Sequence, residues 1–312
     1  MNCGAELTAV VNHKPGSMAA FADQFGIHHR YDTVEAMLKA GMVDALVVST
    51  PNYLHASQTV SSLKAGVHVL VEKPMAMDSL EAGQMCEAVA KSGSKLMVAH
   101  CWRFDREALW LKAHLEGIGR ILRTKSYGVH VKWGPSGWFT QRVFAGGGAM
   151  ADMGVHAVDT TRFLLGDPQP VSVYANIGTY YKDFDVDDTG VIIVNWDNGT
   201  SSYIESGWWQ LHSDGLVAST QLYGQTGFAS LFPTRIEKLT DSPNVMDLDD
   251  GGFAFPRNDH SEQLMYDSQM RYFIDCISLN RSPLPGGAEG LVNMKVIDAA
   301  YRSAKKGEVV KL

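Results

Sequence analysis

Two hydrophobic rhythms alternate over the first hundred residues. Short runs dense in Val and Leu fall at residues 7–11, 45–49, 68–72 and 96–100. Each is too short for a stable helix and apolar at nearly every position. That pattern fits strands covered on both faces of a parallel sheet. Between them lie stretches with helical starts and stops. Residues 17–25 follow Pro15-Gly16, and residues 56–65 stop at Gly66. Residues 33–40 open with Asp32 and Glu35 at capping-box spacing. Residues 79–92 open with Asp78 and Glu81 at the same spacing and stop at Gly93. This alternation predicts a doubly wound parallel sheet.

The rhythm then changes. Residues 106–115 read as a helix ended near Gly117-Ile118-Gly119, and from 121 to about 232 the chain is mostly strand-like. Strands are predicted at 171–177, 189–196, 200–207 and 219–224, with Asp197-Asn198-Gly199 as a turn. One helix, 149–165, interrupts them. Residues 240–258 read as a loop, and 262–279 and 291–305 as two further helices. The second half is therefore α+β, with a sizeable antiparallel sheet. The boundary is predicted near residue 101, giving domains 1–101 and 102–312.

Composition narrows the class. The 312 residues are 45% hydrophobic and 20% charged, enough for two ordinary domains whose cores need no disulfide or metal. A net charge of −7 without any basic run argues against a nucleic-acid partner. Cys3, Cys86, Cys101 and Cys276 are scattered, with no CxxC pair, as expected of thiols in a reducing compartment. The start, MNCGAELTAVV, has no secretory pattern, and no run approaches the ~20 apolar residues of a membrane helix. The expectation is a cytoplasmic protein with no membrane partner. Asn198-Gly199-Thr200 fits a glycosylation sequon but is read as a hairpin turn.

Four places carry candidate chemistry. Glu72-Lys73-Pro74 follows the strand at 68–72, and in open α/β sheets ligands bind beyond the carboxyl ends of strands. Lys73 there is either a proton donor or acceptor or a surface lysine before a turn proline. Ser49-Thr50-Pro51-Asn52, with His55, ends the preceding strand and serves either a ligand or a helix cap. Gly146-Gly147-Gly148 precedes Asp152 and His156, four apart and so on one helical face. A carboxylate beside an imidazole can orient it as a general base. The glycines would let backbone approach a ligand closely. An ordinary helix start, or a metal pair, are the other readings. Trp102-Arg103-Phe104 places Arg103 at the same edge, as a ligand clamp or as a structural bridge between domains. Of Trp133, Trp138, Trp208 and Trp209, Trp138 is kept as a candidate sugar contact because it precedes the glycine run.

These residues, taken in order, resemble the glucose–fructose oxidoreductase/inositol dehydrogenase family, Gfo/Idh/MocA. Thr50-Pro51-Asn52 with His55, then residues 65–74 (AGVHVLVEKP), are similar to its cofactor-domain signature. Gly146-Gly147-Gly148-Ala149 with Asp152, Gly154, His156 and Asp159 are similar to its substrate-domain signature. The ending through Pro283, Gly287, Glu289-Gly290 and residues 298–304 also matches. The resemblance implies a Rossmann domain, then an α+β domain whose large open sheet makes a dimer or tetramer. It implies hydride transfer between NAD or NADP and a sugar or polyol. It also implies catalytic roles: His156 takes the hydroxyl proton, Asp152 supports the histidine, and Lys73 polarises or relays. The candidate cofactor contacts are Asn12, His13, Lys14, Ser49, Thr50, Pro51, Asn52, His55, Glu72, Lys73 and Arg103. The candidate substrate contacts are Lys73, Arg103, Trp138, Asp152 and His156.

The sequence departs from the family at one place. No Gly-x-Gly-x-x-Gly stands near its start, and residues 7–11 correspond to the family's second strand. A first strand, glycine loop and helix, about 30 residues, are expected to be lacking, which would bare two strand edges. The end of the strand at 7–11 carries Asn12-His13-Lys14 rather than the acid that NAD-preferring domains place there, which leans toward NADP. Two other functions compete: a non-catalytic carbohydrate- or nucleotide-binding relative, and a metal-dependent sugar isomerase or hydrolase using Asp152 and His156.

Overall fold

The structure, a computed structural model, describes residues 4–210, 218–240, 246–255 and 262–312. Cys3 and parts of the loop expected at 240–258 (241–245 and 256–258) lie outside the described residues.

The first hundred residues form β1 (Ala9–Val11), α1 (Pro15–Phe25), β2 (His29–Tyr31), α2 (Val34–Ala40), β3 (Ala45–Val48), α3 (His55–Lys64), β4 (His68–Val71), α4 (Ser79–Ser92) and β5 (Leu96–Val98). All strand pairs here are parallel. The near-continuous apolar runs have the expected cause: Val69, Leu70, Val71, Leu96, Met97 and Val98 are all buried. Asp78 caps α4 by accepting from the Glu81 N–H at 2.9 Å. At α2 the cap is Thr33, which accepts from the Ala36 N–H at 3.2 Å, rather than the anticipated Asp32. The helix begins at Val34, so Thr33 and not Asp32 stands at the capping position.

The strands do not make one sheet. Among the described residues β1 and β2 pair with each other alone, and β3, β4 and β5 form a separate three-stranded sheet in that order. β2 was not legible because His29-Arg30-Tyr31 is polar and mostly exposed.

The second half comprises α5 (Arg106–His114), β6 (Ile121–Val131), α6 (Arg142–Ala145), a π-wound turn (Met150–Gly154) running into α7 (Val155–Leu165), then β7 (Pro170–Gly178), β8 (Thr189–Trp196), β9 (Ser201–Gln210), β10 (Ala218–Gly224), β11 (Gly227–Leu231), β12 (Arg235–Leu239), β13 (Met246–Asp249), α8 (Gln263–Ser278), α9 (Gly287–Lys306) and β14 (Val310–Lys311). Among the described residues nine strands form one sheet in the order β13-β12-β11-β10-β6-β9-β8-β7-β14. Only β6 and β9 run parallel; the other pairs are antiparallel. β13 occupies part of the stretch expected to be loop. Its Met246, Asp247, Leu248 and Asp249 are exposed, an edge strand with a weak apolar signal.

Period-two burial explains the layering. Val173, Ala175, Ile192, Val194 and Ile204 point from the sheet onto Val296, Ile297, Ala299 and Ala300 of α9. Tyr174, Ile193 and Tyr203, the alternate positions, are exposed on the uncovered face. α9 starts four residues before the expected 291, where the Glu289 carboxylate accepts from the Gly286 N–H at 2.8 Å. The two halves share cores. Met294 of α9 packs among β3, β4 and β5, and Phe273 of α8 packs on Leu70, Met97 and Ala99.

Candidate active site

β4 ends at Val71, and the chain leaves it through Glu72, Lys73 and a cis Lys73–Pro74 bond. Lys73 Nζ reaches the π-wound turn of the second half. It lies 2.6 Å from Asp152 Oδ1 and donates to the Asp152 carbonyl at 3.1 Å. Both side chains are largely shielded, at 16% and 12% exposure. The other carboxylate oxygen, Oδ2, accepts from Trp208 Nε1 at 2.9 Å. Burial alone would raise the Asp152 carboxyl. The Lys73 ion pair and hydrogen bond, with His130 and Trp208, outweigh it and keep the group ionised.

His156 lies one turn further on, with its ring stacked on Trp102 at 4.5 Å. Burial, and then the positive fields of Lys73, His100 and His130, lower its pKa well below the ordinary value. The imidazole is therefore neutral at physiological pH. Asp152 does not orient it as the spacing suggested. No hydrogen bond joins the two among the described residues, because Lys73 and Trp208 take the two carboxylate oxygens.

The stretch after β3 holds this corner together. His55 sits between the Thr50 carbonyl (Nε2, 2.7 Å) and the Pro74 carbonyl (Nδ1, 2.9 Å), tying the exit of β3 to that of β4. Asn52 is buried and donates to the Ala145 carbonyl at 2.8 Å, just before the glycine run. Thr50 donates to Gln58 at 3.0 Å, while Ser49 is exposed and Pro51 half-buried. Glu72 lines the same corner, its carboxyl raised by burial. Asn12, His13 and Lys14 stand at the end of β1, Asn12 accepting from the Lys14 N–H at 2.9 Å.

The triple glycine has a different cause from the one expected. A Cβ on Gly148 would overlap the Asp187 backbone, and one on Gly147 would overlap the Tyr301 hydroxyl. The close approach is to the protein itself. The Asp187 carboxylate accepts from the Gly148 and Met150 N–H groups, both at 2.8 Å, and Tyr301 donates to it at 2.7 Å. This cap fixes where the turn carrying Asp152 begins.

Arg103 does not face the cleft. It is 3% exposed, and its guanidinium donates to both oxygens of Asp159 (2.8 Å each) and to both of Asp167 (2.6 and 3.1 Å). Asn293 joins the network by donating to Asp159 at 2.8 Å. Arg103 thus ties Asp159 of α7 to Asp167 in the turn after it, all within residues 102–312, so these contacts make it a structural arginine of the second domain and not a bridge between the domains. Trp138 stacks on Phe139 at 3.8 Å, and among the described residues no ring stacking or hydrogen bond joins it to Lys73, Asp152 or His156. The tryptophan that touches the pair is Trp208. His130, near the end of β6, was also missed: among the described residues its buried Nδ1 has no hydrogen-bond partner, its ring stacks on Trp133 at 3.7 Å, and its pKa is lowered by burial, with Asp152 and Lys73 acting on it in opposite directions. Trp208 was one of four tryptophans with nothing local to single it out, and His130 carried no signal, because both lie where β6 and β9 come together, Trp208 78 residues beyond His130 in the chain. Among the described residues no group of three His, Cys, Asp or Glu side chains is placed to hold a metal.

A nicotinamide dinucleotide would be held at one end by the exits of β3 and β4, which carry Thr50, Asn52 and Lys73, with Lys73 reaching across to the turn that leads into His156. At the diphosphate end the fit is incomplete. Sheets of this type hold the diphosphate at a glycine turn leading into a helix. Between β1 and β3 the described residues offer a groove instead.

A parallel sheet with its cleft at the strand ends, closed by a lysine–aspartate pair from two halves, is the architecture of a dehydrogenase. Comparison with known proteins agrees. Residues 1–100 match the profile described as "Oxidoreductase family, NAD-binding Rossmann fold", and residues 116–230 match the GFO/IDH/MocA C-terminal domain. D-glucoside 3-dehydrogenase of Escherichia coli (strain K12) is 26% identical over 98% of this chain and 90% of its own length. A putative UDP-kanosamine synthase oxidoreductase subunit of Amycolatopsis mediterranei (strain S699) is 32% identical over 72% of this chain and 67% of its own length. The crystal structure of an aldose-aldose oxidoreductase from Caulobacter crescentus, complexed with glycerol, superposes with a TM-score of 0.81 at 28% identity, covering 98% of this chain and 92% of the other. The chain belongs to the Gfo/Idh/MocA oxidoreductase family.

Proposed function

We propose that this chain interconverts a secondary alcohol and a carbonyl on a sugar or polyol, with Lys73 and His156 as its catalytic residues. The observation that carries the reading is the Lys73–Asp152 ion pair at the turn that leads directly into His156. NADP, favoured over NAD by Asn12-His13-Lys14, supplies the hydride acceptor when bound. In the oxidising direction His156 takes the substrate O–H proton while the C–H hydride leaves the same carbon. Lys73, held in place by Asp152, donates a hydrogen bond to that oxygen. Asp152 acts through Lys73 and is a positioning residue. Ser49, Thr50, Pro51, Asn52, His55 and Glu72 shape the nicotinamide side. Residues 1–101 carry the cofactor, and 102–312 supply the substrate side.

The uncovered face of the nine-stranded sheet, with exposed Tyr174, Ile193 and Tyr203, serves as the interface of a homodimer or homotetramer. Light scattering of the wild type and of a Tyr203→Lys variant checks this. The described helices include none long and apolar enough to cross a membrane. The cytoplasm is the compartment we assign, from its thiols Cys86, Cys101 and Cys276, none of them in a disulfide.

The test of the function is a substrate screen of sugars and polyols with NADPH and NADH, following absorbance at the nicotinamide band. Turnover that His156→Ala lowers by about a hundredfold or more supports the reading. Cofactor binding with no turnover on any substrate would favour the non-catalytic relative instead.

A further inference from the structure

β6 and β9 pair in step until Val129 meets Gly207, but the next pair is Val131 with Gln210. Trp208 and Trp209 therefore stand opposite His130 alone, a bulge of two residues against one. Its backbone is strained: Trp209 has φ 61° and Lys132, on the facing turn, φ 63°, the left-handed region that such side chains rarely adopt. Hydrogen bonds hold it there. Lys132 N–H donates to the Gln210 carbonyl and Trp209 N–H to the Trp133 carbonyl, each at 2.8 Å. Trp133 is thus fixed by its backbone, and its ring is fixed by stacking on His130 at 3.7 Å. That covers one face of the indole. Trp133 as a whole is 51% exposed, so the other face is bare. An exposed indole is ordinary on a protein surface. One held at both backbone and ring, with one face open, is a preformed platform.

The platform adjoins the active site. Trp208, in the same bulge, donates to Asp152. Gly128 lies two residues before His130 on one face of β6, and a Cβ there would overlap the Met153 carbonyl of the turn that carries Asp152. His130 is therefore one strand repeat, about 7 Å, beyond that contact, and Trp133 is one stacked ring further. A cation stands at the rim. The Trp209 indole edge lies against Gly134, and Lys182 Nζ sits 4.5 Å from the centre of that indole. The Asp188 carboxylate fixes the segment carrying Lys182 by accepting from the Tyr180, Tyr181 and Lys182 N–H groups at 2.8, 2.7 and 3.1 Å.

We propose that Trp133 is the platform of an outer subsite and that the substrate is a disaccharide: the reacting sugar lies at Lys73 and His156, and its neighbour stacks its C–H face on Trp133 while Lys182 donates to that ring's hydroxyls. The surface selects the class. A bare indole face takes an apolar face, and an ammonium beside it takes oxygen acceptors. A pyranose ring offers both. An open polyol chain has no flat face, and an aromatic ring has no hydroxyls for Lys182. Binding energy from the outer ring would hold the inner one in position to react, so it would be felt in turnover as well as in affinity. The reaction of the inner sugar rests on the proposed function; the outer subsite can be read by binding alone.

The experiment uses the full chain and matched pairs of ligands: cellobiose, maltose, lactose and xylobiose, each against the methyl glycoside of its non-reducing sugar. Calorimetry reads binding, and nicotinamide absorbance reads turnover. We expect at least one disaccharide to exceed its methyl glycoside by about tenfold in affinity and in kcat/KM. Trp133→Ala should bring the two members of that pair to within about twofold of each other. Trp133→Phe, which keeps a stacking ring, should retain part of the margin. A margin that survives Trp133→Ala overturns the proposal. So does an equal loss on both members of the pair, which would give Trp133 a structural role only. No disaccharide bound better than its methyl glycoside overturns it outright. A phenyl glycoside preferred to every disaccharide overturns it too, assigning the platform to an aromatic aglycone. If a disaccharide binds with a margin that Trp133→Ala removes but no sugar turns over, the outer subsite stands and the proposed function fails.

Discussion

The indole of Trp208, buried without solvent contact, donates its Nε1–H to Oδ2 of Asp152 across 2.9 Å. It fixes the carboxylate from the side opposite Lys73. Trp208→Phe keeps most of the volume but leaves Oδ2 without its donor. It should cost about 1–3 kcal/mol of stability and lower kcat more than it alters cofactor affinity. Denaturant unfolding and steady-state kinetics check this; unchanged values in both would show that the bond carries nothing.

Lys73→Met should lower turnover by about two orders of magnitude or more while nicotinamide affinity changes only a few-fold. It leaves the buried Asp152 without its cation, so the Asp152 carboxyl should rise. The double variant Lys73→Met/Asp152→Asn should recover stability but not activity. A single variant that keeps the wild-type rate would remove Lys73 from the chemistry.

His100 gives a stability prediction with a definite sign. Burial, with the cations Arg103, Lys73 and Arg162, outweighs Asp159 and lowers its pKa from 6.5 to about 4. The unfolded chain therefore takes up a proton near pH 6.5 that the folded chain refuses until about 4. Stability should be full above pH 6.5 and fall by about 3 kcal/mol on the way down to 4 from this group alone. His156, depressed by its burial and by Lys73, acts in the same direction. Asp159, which burial would raise but Arg103 and His100 hold at about 2, loses its contribution only below its ordinary 3.8. Urea unfolding across pH checks the window, and His100→Gln should flatten the slope.

Gly148→Ala places a methyl group on the Asp187 backbone and displaces the cap over the Met150 N–H. A loss of about 2–5 kcal/mol is expected, with activity falling in the fraction that still folds. Asp187→Asn, which keeps the shape, should be milder. A Gly148→Ala protein with wild-type stability would mean that the triple glycine serves a ligand after all.

Arg103→Lys should destabilise the protein by about 3–5 kcal/mol, since one ammonium cannot serve both Asp159 and Asp167. NADPH affinity of the folded protein, measured by fluorescence, should stay within about twofold. A large loss of affinity at full stability would return Arg103 to the cofactor.

The apolar runs and the Asp78/Glu81 cap were readable because their causes are local. Lys73, Asp152 and His156 stood out because reactive side chains fell at strand and helix ends, where clefts form. Arg103 was ambiguous for the same reason: a charged residue at a strand end serves a ligand or a partner carboxylate, and Asp159 and Asp167 lie 56 and 64 residues away. β2 escaped notice because His29-Arg30-Tyr31 is polar, and β13 because its four alternating residues, Met246–Asp249, are too short a run to stand out from the Asp-, Asn- and Gly-rich stretch around them.

The sequence by itself determined the strand–helix alternation, the family, and the lysine, aspartate and histidine that the site is built on. It also showed that no Gly-x-Gly-x-x-Gly pattern occurs in these 312 residues, because such a turn depends on residue type at fixed spacing. Only the tertiary structure decided that Asp152 turns to Lys73 and Trp208 instead of His156, that Gly147 and Gly148 accommodate Tyr301 and Asp187, and that β1 and β3 leave an open groove. Each of those depends on which distant segments meet. Spacing along one helix can say which side chains share a face, but not which partner from another strand arrives first.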